Sequence, residues 1–186
     1  MAKKTPNSAD VIEAYNTCDD DIKEYFSELI QLLEGSDFSY QTAIAYSFLK
    51  VEQASHRILY GGLVRIHRAD TSLALNAVDK QHLGRHEFIA LCGKIFDNQI
   101  SPSTLSIIKS AEDTRDRVMH GKTVPDAEIR KAITVVLKYS SKLNDEVRKI
   151  AGFSPFGSMQ GFKGRSKPMD TKTTEWLLKG IGFIKS

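Results

Sequence analysis

The chain has 186 residues, 41% apolar and 26% charged with a net charge of +3, which suits one soluble globular domain with its own core. No apolar run approaches the roughly eighteen residues of a membrane span, and the polar start, residues 1–8, lacks the apolar core of a signal peptide. Cys18 and Cys92 are too few for a disulfide or metal framework and are expected as small buried thiols in a reducing, cytoplasmic setting.

The apolar spacing predicts helices nearly throughout, since proline is absent from Asn7 to Ser101 and no alternating run of strand length occurs. Ser8 is placed to cap a first helix with Val11, Ile12 and Tyr15 on one face. Residues 19–34 repeat apolar side chains at Ile22, Phe26, Leu29, Ile30 and Leu33, with Gly35 as a stop; the two stretches can run as one helix. A long helix is expected over 39–68, with Ile44, Phe48, Val51, Ile58, Leu63 and Ile66 in its stripe. Gly61-Gly62 in its middle permits a kink or close packing. Residues 69–78 continue in helical composition. A shorter helix follows over 85–96, with Phe88, Ile89, Leu91 and Ile95 inward and Asp97-Asn98 as its end.

Ser101-Pro102 opens the next helix, proline being favourable in a first turn. Leu105, Ile108, Ala111, Arg115, Val118 and Met119 share one broad stripe, and Gly121 is a natural stop, so His120 is placed at the helix end. The loop 122–125 leads to a last long helix over 126–150, with Ile129, Ile133, Val136, Leu143, Val147 and Ile150 inward. Beyond Gly152 the composition turns glycine-rich, aromatic and basic, closing with a short amphipathic segment, 172–179, around Trp176. One domain with an appendage is expected: a helical bundle over 1–151 with its core at about 39–151, and a glycine-rich, aromatic and basic tail over 152–186 with a short terminal helix.

The chemistry concentrates in Arg115-Asp116-Arg117-Val118-Met119-His120-Gly121. Arginine stays cationic and histidine exchanges protons near neutrality, so the pair can hold a phosphate oxyanion and move the proton that phosphodiester cleavage requires. Position at a helix C-terminus favours the protonated imidazole by about 0.3–1 kcal/mol. Asp116, four residues before His120, is placed to orient the imidazole or to pair with Arg115. Charge changes sign at the same point. Residues 1–121 carry 13 Lys/Arg against 17 Asp/Glu, whereas residues 122–186 carry 13 against 6. A basic half of that kind suits either phosphate contacts or a solvated helix face.

A bundle of four or five helices with Arg115-Asp116-x-x-x-His120-Gly121 at the end of the penultimate long helix resembles the HEPN family, over about residues 39–151. The family signature is an arginine, commonly followed by a polar residue, and a histidine after four to six intervening residues. The resemblance implies an all-α antiparallel bundle and a metal-independent endoribonuclease needing no cofactor. Such enzymes act as homodimers with two motifs in one composite site, as toxins of toxin–antitoxin pairs, phage-defence factors or RNA-processing modules. It thereby implies RNA as substrate, and an antitoxin or a nucleotidyltransferase as partner. Arg115 would hold the phosphorane charge, His120 would act as general base or acid, and Asp116 would support them. Lys122, Lys163 and Arg165 are the candidate RNA contacts. Inactive members of the family only bind partners. A silent helical module binding a protein or nucleotide therefore stands as the alternative, with a plain helical adaptor behind it.

Other patterns carry less. His82 and His86 stand four apart, but Gly84 lies between them and no third ligand is evident, so no metal site is expected. His56 and His67 read as packing or surface. Gly157, Gly161 and Gly164 lack the lysine and the spacing of a phosphate loop. Phe153, Phe156 and Phe162, interleaved with Lys163, Arg165 and Lys167, either anchor the tail or stack on bases.

Overall fold

A computed structural model describes residues 8–34 and 39–183; the expected stop at Gly35 lies outside them. The described residues hold no strand. In chain order the helices are α1 (Ala9–Asn16), α2 (Asp20–Tyr25), α3 (Ser27–Glu34), α4 (Tyr40–Arg65), α5 (Thr71–Asp79), α6 (Arg85–Phe96), α7 (Pro102–Ser106), α8 (Lys109–Met119), α9 (Asp126–Ala151) and α10 (Thr171–Ile181). The all-α class is as the apolar spacing predicts. No described helix is long and apolar enough to cross a membrane.

The chain condenses into two compact units, Met1–Val51 with Ser103–Lys142 and Glu52–Pro102 with Leu143–Ser186. This division differs from the expected bundle and tail: residues beyond 151 belong to a unit with α5 and α6, and α4 and α9 each supply residues to both units. The first unit buries Ile22, Phe26, Leu29, Ile44, Ile129 and Ile133. The second buries Ile58, Leu59, Leu63, Ile95, Phe96 and Phe156. Each such side chain withdrawn from water contributes about 1.5–3 kcal/mol before the entropy of ordering it.

In the first unit, the N-terminal stretch forms three short helices, not one long one. After α1, the Ala14 carbonyl accepts the Thr17 hydroxyl at 2.8 Å and the Cys18 thiol at 3.3 Å, and Asp19 turns extended. These bonds accompany the end of α1, where the extended Asp19 takes the chain out of the helix. Ser8 precedes α1 as expected, but its hydroxyl makes no cap bond; its carbonyl accepts the N–H groups of Val11 and Ile12, both at 3.0 Å. The helix expected from Pro102 onward is also divided. Between α7 and α8 the Ile107 N–H reaches back only to Thr104 at 3.1 Å, and the Ser106 hydroxyl takes the Ser103 carbonyl at 2.8 Å.

In the second unit, α4 ends at Arg65, and Ile66 is exposed instead of inward. Arg68 is left-handed (φ 58°), and Asp70 starts α5 afresh, its Oδ1 accepting the Ser72 and Leu73 N–H groups at 3.0 Å. Helix α6 occupies the expected residues and ends with Asp97 left-handed at φ 50°. Gly61 and Gly62 serve close packing. A Cβ on Gly61 would lie 2.2 Å from Phe153 Cζ, and one on Gly62 would lie 2.5 Å from Ile95 Cγ2.

Residues 152–170 carry no helix and run against the second half of α4 through hydrogen bonds to main-chain carbonyls. Arg57 Nη1 donates to Gly157 O at 3.2 Å, and Arg68 donates Nε and Nη2 to Lys167 O at 3.0 and 2.8 Å. Phe153 and Phe156 are buried, and the Phe162 ring packs on those of Phe153 and Tyr60 at 5.2 and 5.7 Å. The phenylalanines are anchors. In α10, Thr174, Leu178 and Ile181 face inward and Trp176 lies outside, its ring under Lys172 Nζ at 5.3 Å.

Candidate functional site

Arg115, Asp116, His120 and Lys122 all lie in the first unit, at the C-terminal end of α8. The end is built by a glycine. Gly121 takes φ 70° and donates to Val118 O at 2.9 Å, while Lys122 N–H reaches back to Arg117 O at 2.9 Å. These two bonds form the Schellman arrangement that closes a helix on a left-handed residue, with His120 as the C-cap. The following loop is held from the other side. Arg117 Nη1 pairs with Glu128 Oε1 on α9, and the Thr114 hydroxyl approaches the same oxygen at 3.4 Å. Val124 is buried beneath the loop.

Arg115 lies across the packing face. Its guanidinium carbon stands 4.7 Å above the Phe48 ring of α4, a cation–π placement that orients the planar group. Its Nε lies 2.8 Å from Asp116 Oδ1, yet the Nε hydrogen makes no hydrogen bond, because the carboxylate sits off the N–H direction. The Arg115 side chain is 36% exposed and that of Asp116 57%, so the ion pair is partly solvated. A partly solvated pair contributes little to stability.

His120 and Lys122 are exposed, and neither side chain has a partner among the described residues. Asp116 and His120, four apart, lie on one side of the helix. Arg115 and His120, five apart, are turned about 140° from each other around the axis. Within one copy, helix geometry therefore does not converge the arginine and the histidine on a common point. Met119, expected in the apolar stripe, is 64% exposed beside them. Met119 is the last residue of α8, and the packed side of the helix ends with the half-buried Val118 before it.

Phe48 and Glu128 are part of this end of α8 and were not marked as site residues by the spacing. Phe48 was legible only as a stripe residue of α4, because its pairing with Arg115 links segments far apart in sequence. Lys163 and Arg165 lie in the other unit. Lys163 is exposed, whereas Arg165 donates Nη2 to Ala151 O at 3.1 Å. His67 contacts Ile95 O at 2.8 Å, in keeping with a packing role; His82 and His86 are exposed near the start of α6. Compared with protein-family models, curated proteins and solved structures, the chain finds no match in any of the three.

Proposed function

We propose that the chain is a metal-independent endoribonuclease that works as a homodimer in the cytoplasm, in the manner of a toxin or phage-defence component. One observation carries this reading: His120 is exposed and has no side-chain partner among the described residues, on a helix end fixed by Gly121 and five residues after a cation, Arg115. The resemblance of Arg115-Asp116-x-x-x-His120 to the HEPN signature supports it. In the proposed reaction the 2′-hydroxyl of RNA attacks the adjacent phosphorus, and the bond to the 5′-oxygen breaks, leaving a 2′,3′-cyclic phosphate and a 5′-hydroxyl. His120 of one copy accepts the 2′-hydroxyl proton and His120 of the second copy protonates the leaving oxygen. Arg115 stabilises the charge on the phosphorane oxygens. The need for two copies follows from the chemistry, because one imidazole cannot be base and acid in the same step, and from the angular separation of Arg115 and His120 within one copy. An antitoxin or a nucleotidyltransferase is the corresponding protein partner.

The test is cleavage of labelled single-stranded RNA in EDTA, with sedimentation to establish the dimer. His120→Ala is expected to lower the rate by about 10²–10⁴-fold, and Arg115→Ala by about 10²–10³-fold. Intact RNA with a folded wild-type dimer would overturn the proposal.

A second reading has an observation of its own. Arg115 stacks on Phe48 and pairs with Asp116, which is what a structural arginine does. On that reading the chain is a silent helical module that binds a protein or nucleotide partner. Arg115→Ala would then lower the melting temperature while RNA stays uncut by every variant.

A further inference from the structure

Residues 162–168 and the end of α4 form a cationic surface in the second unit. The tail passes beside the end of α4 and the residues that follow it. The Arg65 guanidinium carbon lies 4.7 Å over the Phe162 ring, a Cβ on Gly164 would stand 3.2 Å from Val64 O, and Arg68 donates twice to Lys167 O. Five cations are thereby gathered: Arg65, Arg68, Lys163, Arg165 and Lys167. All but the half-buried Arg65 are exposed, and among the described residues none is paired with a carboxylate.

The neighbouring acids are occupied elsewhere. Asp70 Oδ1 caps α5, and Asp170 caps α10, accepting Thr173 N–H at 3.0 Å and the Thr173 hydroxyl at 2.6 Å. Hydrogen bonding to Thr173 holds the Asp170 carboxyl below its ordinary pKa and keeps it committed to the cap. The arginines meanwhile bond to carbonyls, which position the guanidinium groups without neutralising them. Arg65 is oriented by an aromatic face, and its Nε hydrogen has no acceptor.

We infer that this surface binds the phosphate backbone of single-stranded RNA, without regard to sequence. Cations that no described carboxylate neutralises, on one tail segment beside α4, suit a flexible polyanion. The apolar side chain within the run, Phe162, is turned against Tyr60 and Phe153, leaving nothing aromatic in it to enter a lipid surface. The inference rests on the reading of RNA as substrate and adds to it a binding surface on a different unit from α8.

The experiment measures fluorescence anisotropy of a labelled oligouridylate with the full chain over a salt series, for wild type, Lys163→Gln/Lys167→Gln and His120→Ala. The two lysines are chosen because their side chains hold nothing in the fold; circular dichroism melting checks that the double variant stays folded. Neutralising about five phosphates predicts a slope of log affinity against log salt near −3.5, falling in magnitude by about 1.4 in the double variant, with affinity weakened several-fold at low salt. His120→Ala is included so that anisotropy is also read on RNA the protein does not cut. Affinity and slope unchanged in the folded double variant would overturn the inference, as would binding to phosphatidylserine vesicles with none to the oligouridylate. Salt-dependent binding lost in the double variant, with no cleavage by any protein, would uphold this surface and sink the nuclease reading. Cleavage and binding that ignore Lys163 and Lys167 would do the reverse.

Discussion

Gly61 shows how much of the second unit depends on a missing side chain. A Cβ there would lie 2.2 Å from Cζ and 2.4 Å from Cε2 of Phe153, whose ring is buried. Gly61→Ala must displace that ring, and overpacking of this kind costs roughly 1–3 kcal/mol. The melting temperature is expected to fall by several degrees. Gly180 provides the contrast. It is exposed within α10, and a Cβ there meets nothing within 4 Å. Gly180→Ala is expected to stabilise by about 0.4–1 kcal/mol, by restricting the unfolded chain. Thermal unfolding of the two variants therefore shifts in opposite directions. Equal shifts would show that helix propensity, and not the Phe153 contact, decides the outcome at Gly61. The Gly61-Gly62 pair was conspicuous in the sequence, but its partners were not, because Phe153 and Ile95 reach it through tertiary packing.

At the scale of elements, the long periodic stretches were the legible ones. Residues 85–96 form α6 as expected, and α9 runs one residue further than expected, to Ala151. What spacing could not show were the interruptions, which turn on local details such as a left-handed Arg68 or a side chain bonded back to the chain. Thr17 and Cys18 mark the end of α1, and Ser106 marks the break before α8. Asp70 was an available signal, since an aspartate followed by Thr71-Ser72 is a strong helix start, yet residues 69–78 read as continuous helix. The same held for the site. Arg115, Asp116 and His120 were visible as a spacing, whereas the stack of Arg115 on Phe48 belongs to the tertiary fold. Caps on the two shorter helices of the second unit give a test. Asp70→Ala removes an acceptor for two N–H groups and is expected to destabilise by about 1 kcal/mol. Asp170 adds a pH dependence. Its folded pKa lies below the ordinary carboxylate value, mainly through the Thr173 hydroxyl and then the Thr173 N–H. Its stabilising effect is thus fully present above about pH 3.9 and is lost as pH falls through the depressed folded value. Trp176 fluorescence on α10 is expected to show in wild type an acid-induced change that Asp170→Asn lacks, and identical acid profiles would remove Asp170 from the account.

For the whole molecule, the two cysteines report on the two units separately. Cys18 belongs to the first and Cys92 to the second, and both are buried. Burial pushes both thiols above their ordinary pKa, for Cys18 against the lowering effect of the Ser141 hydroxyl. Alkylation by iodoacetamide requires the thiolate and access to it, so in the native protein each cysteine is expected to react far more slowly than a free thiol. The rate then tracks opening of the unit that contains it. The first unit has apolar centres of its own in Ile22, Phe26, Leu29, Ile44 and Ile133, whereas the Phe153 ring that Gly61→Ala displaces belongs to the second unit. That substitution is accordingly expected to speed labelling of Cys92 more than that of Cys18, as followed by peptide mass spectrometry after timed alkylation. Equal acceleration of both would mean that α4 and α9, continuous through the two units, transmit the opening and make the molecule a single cooperative structure.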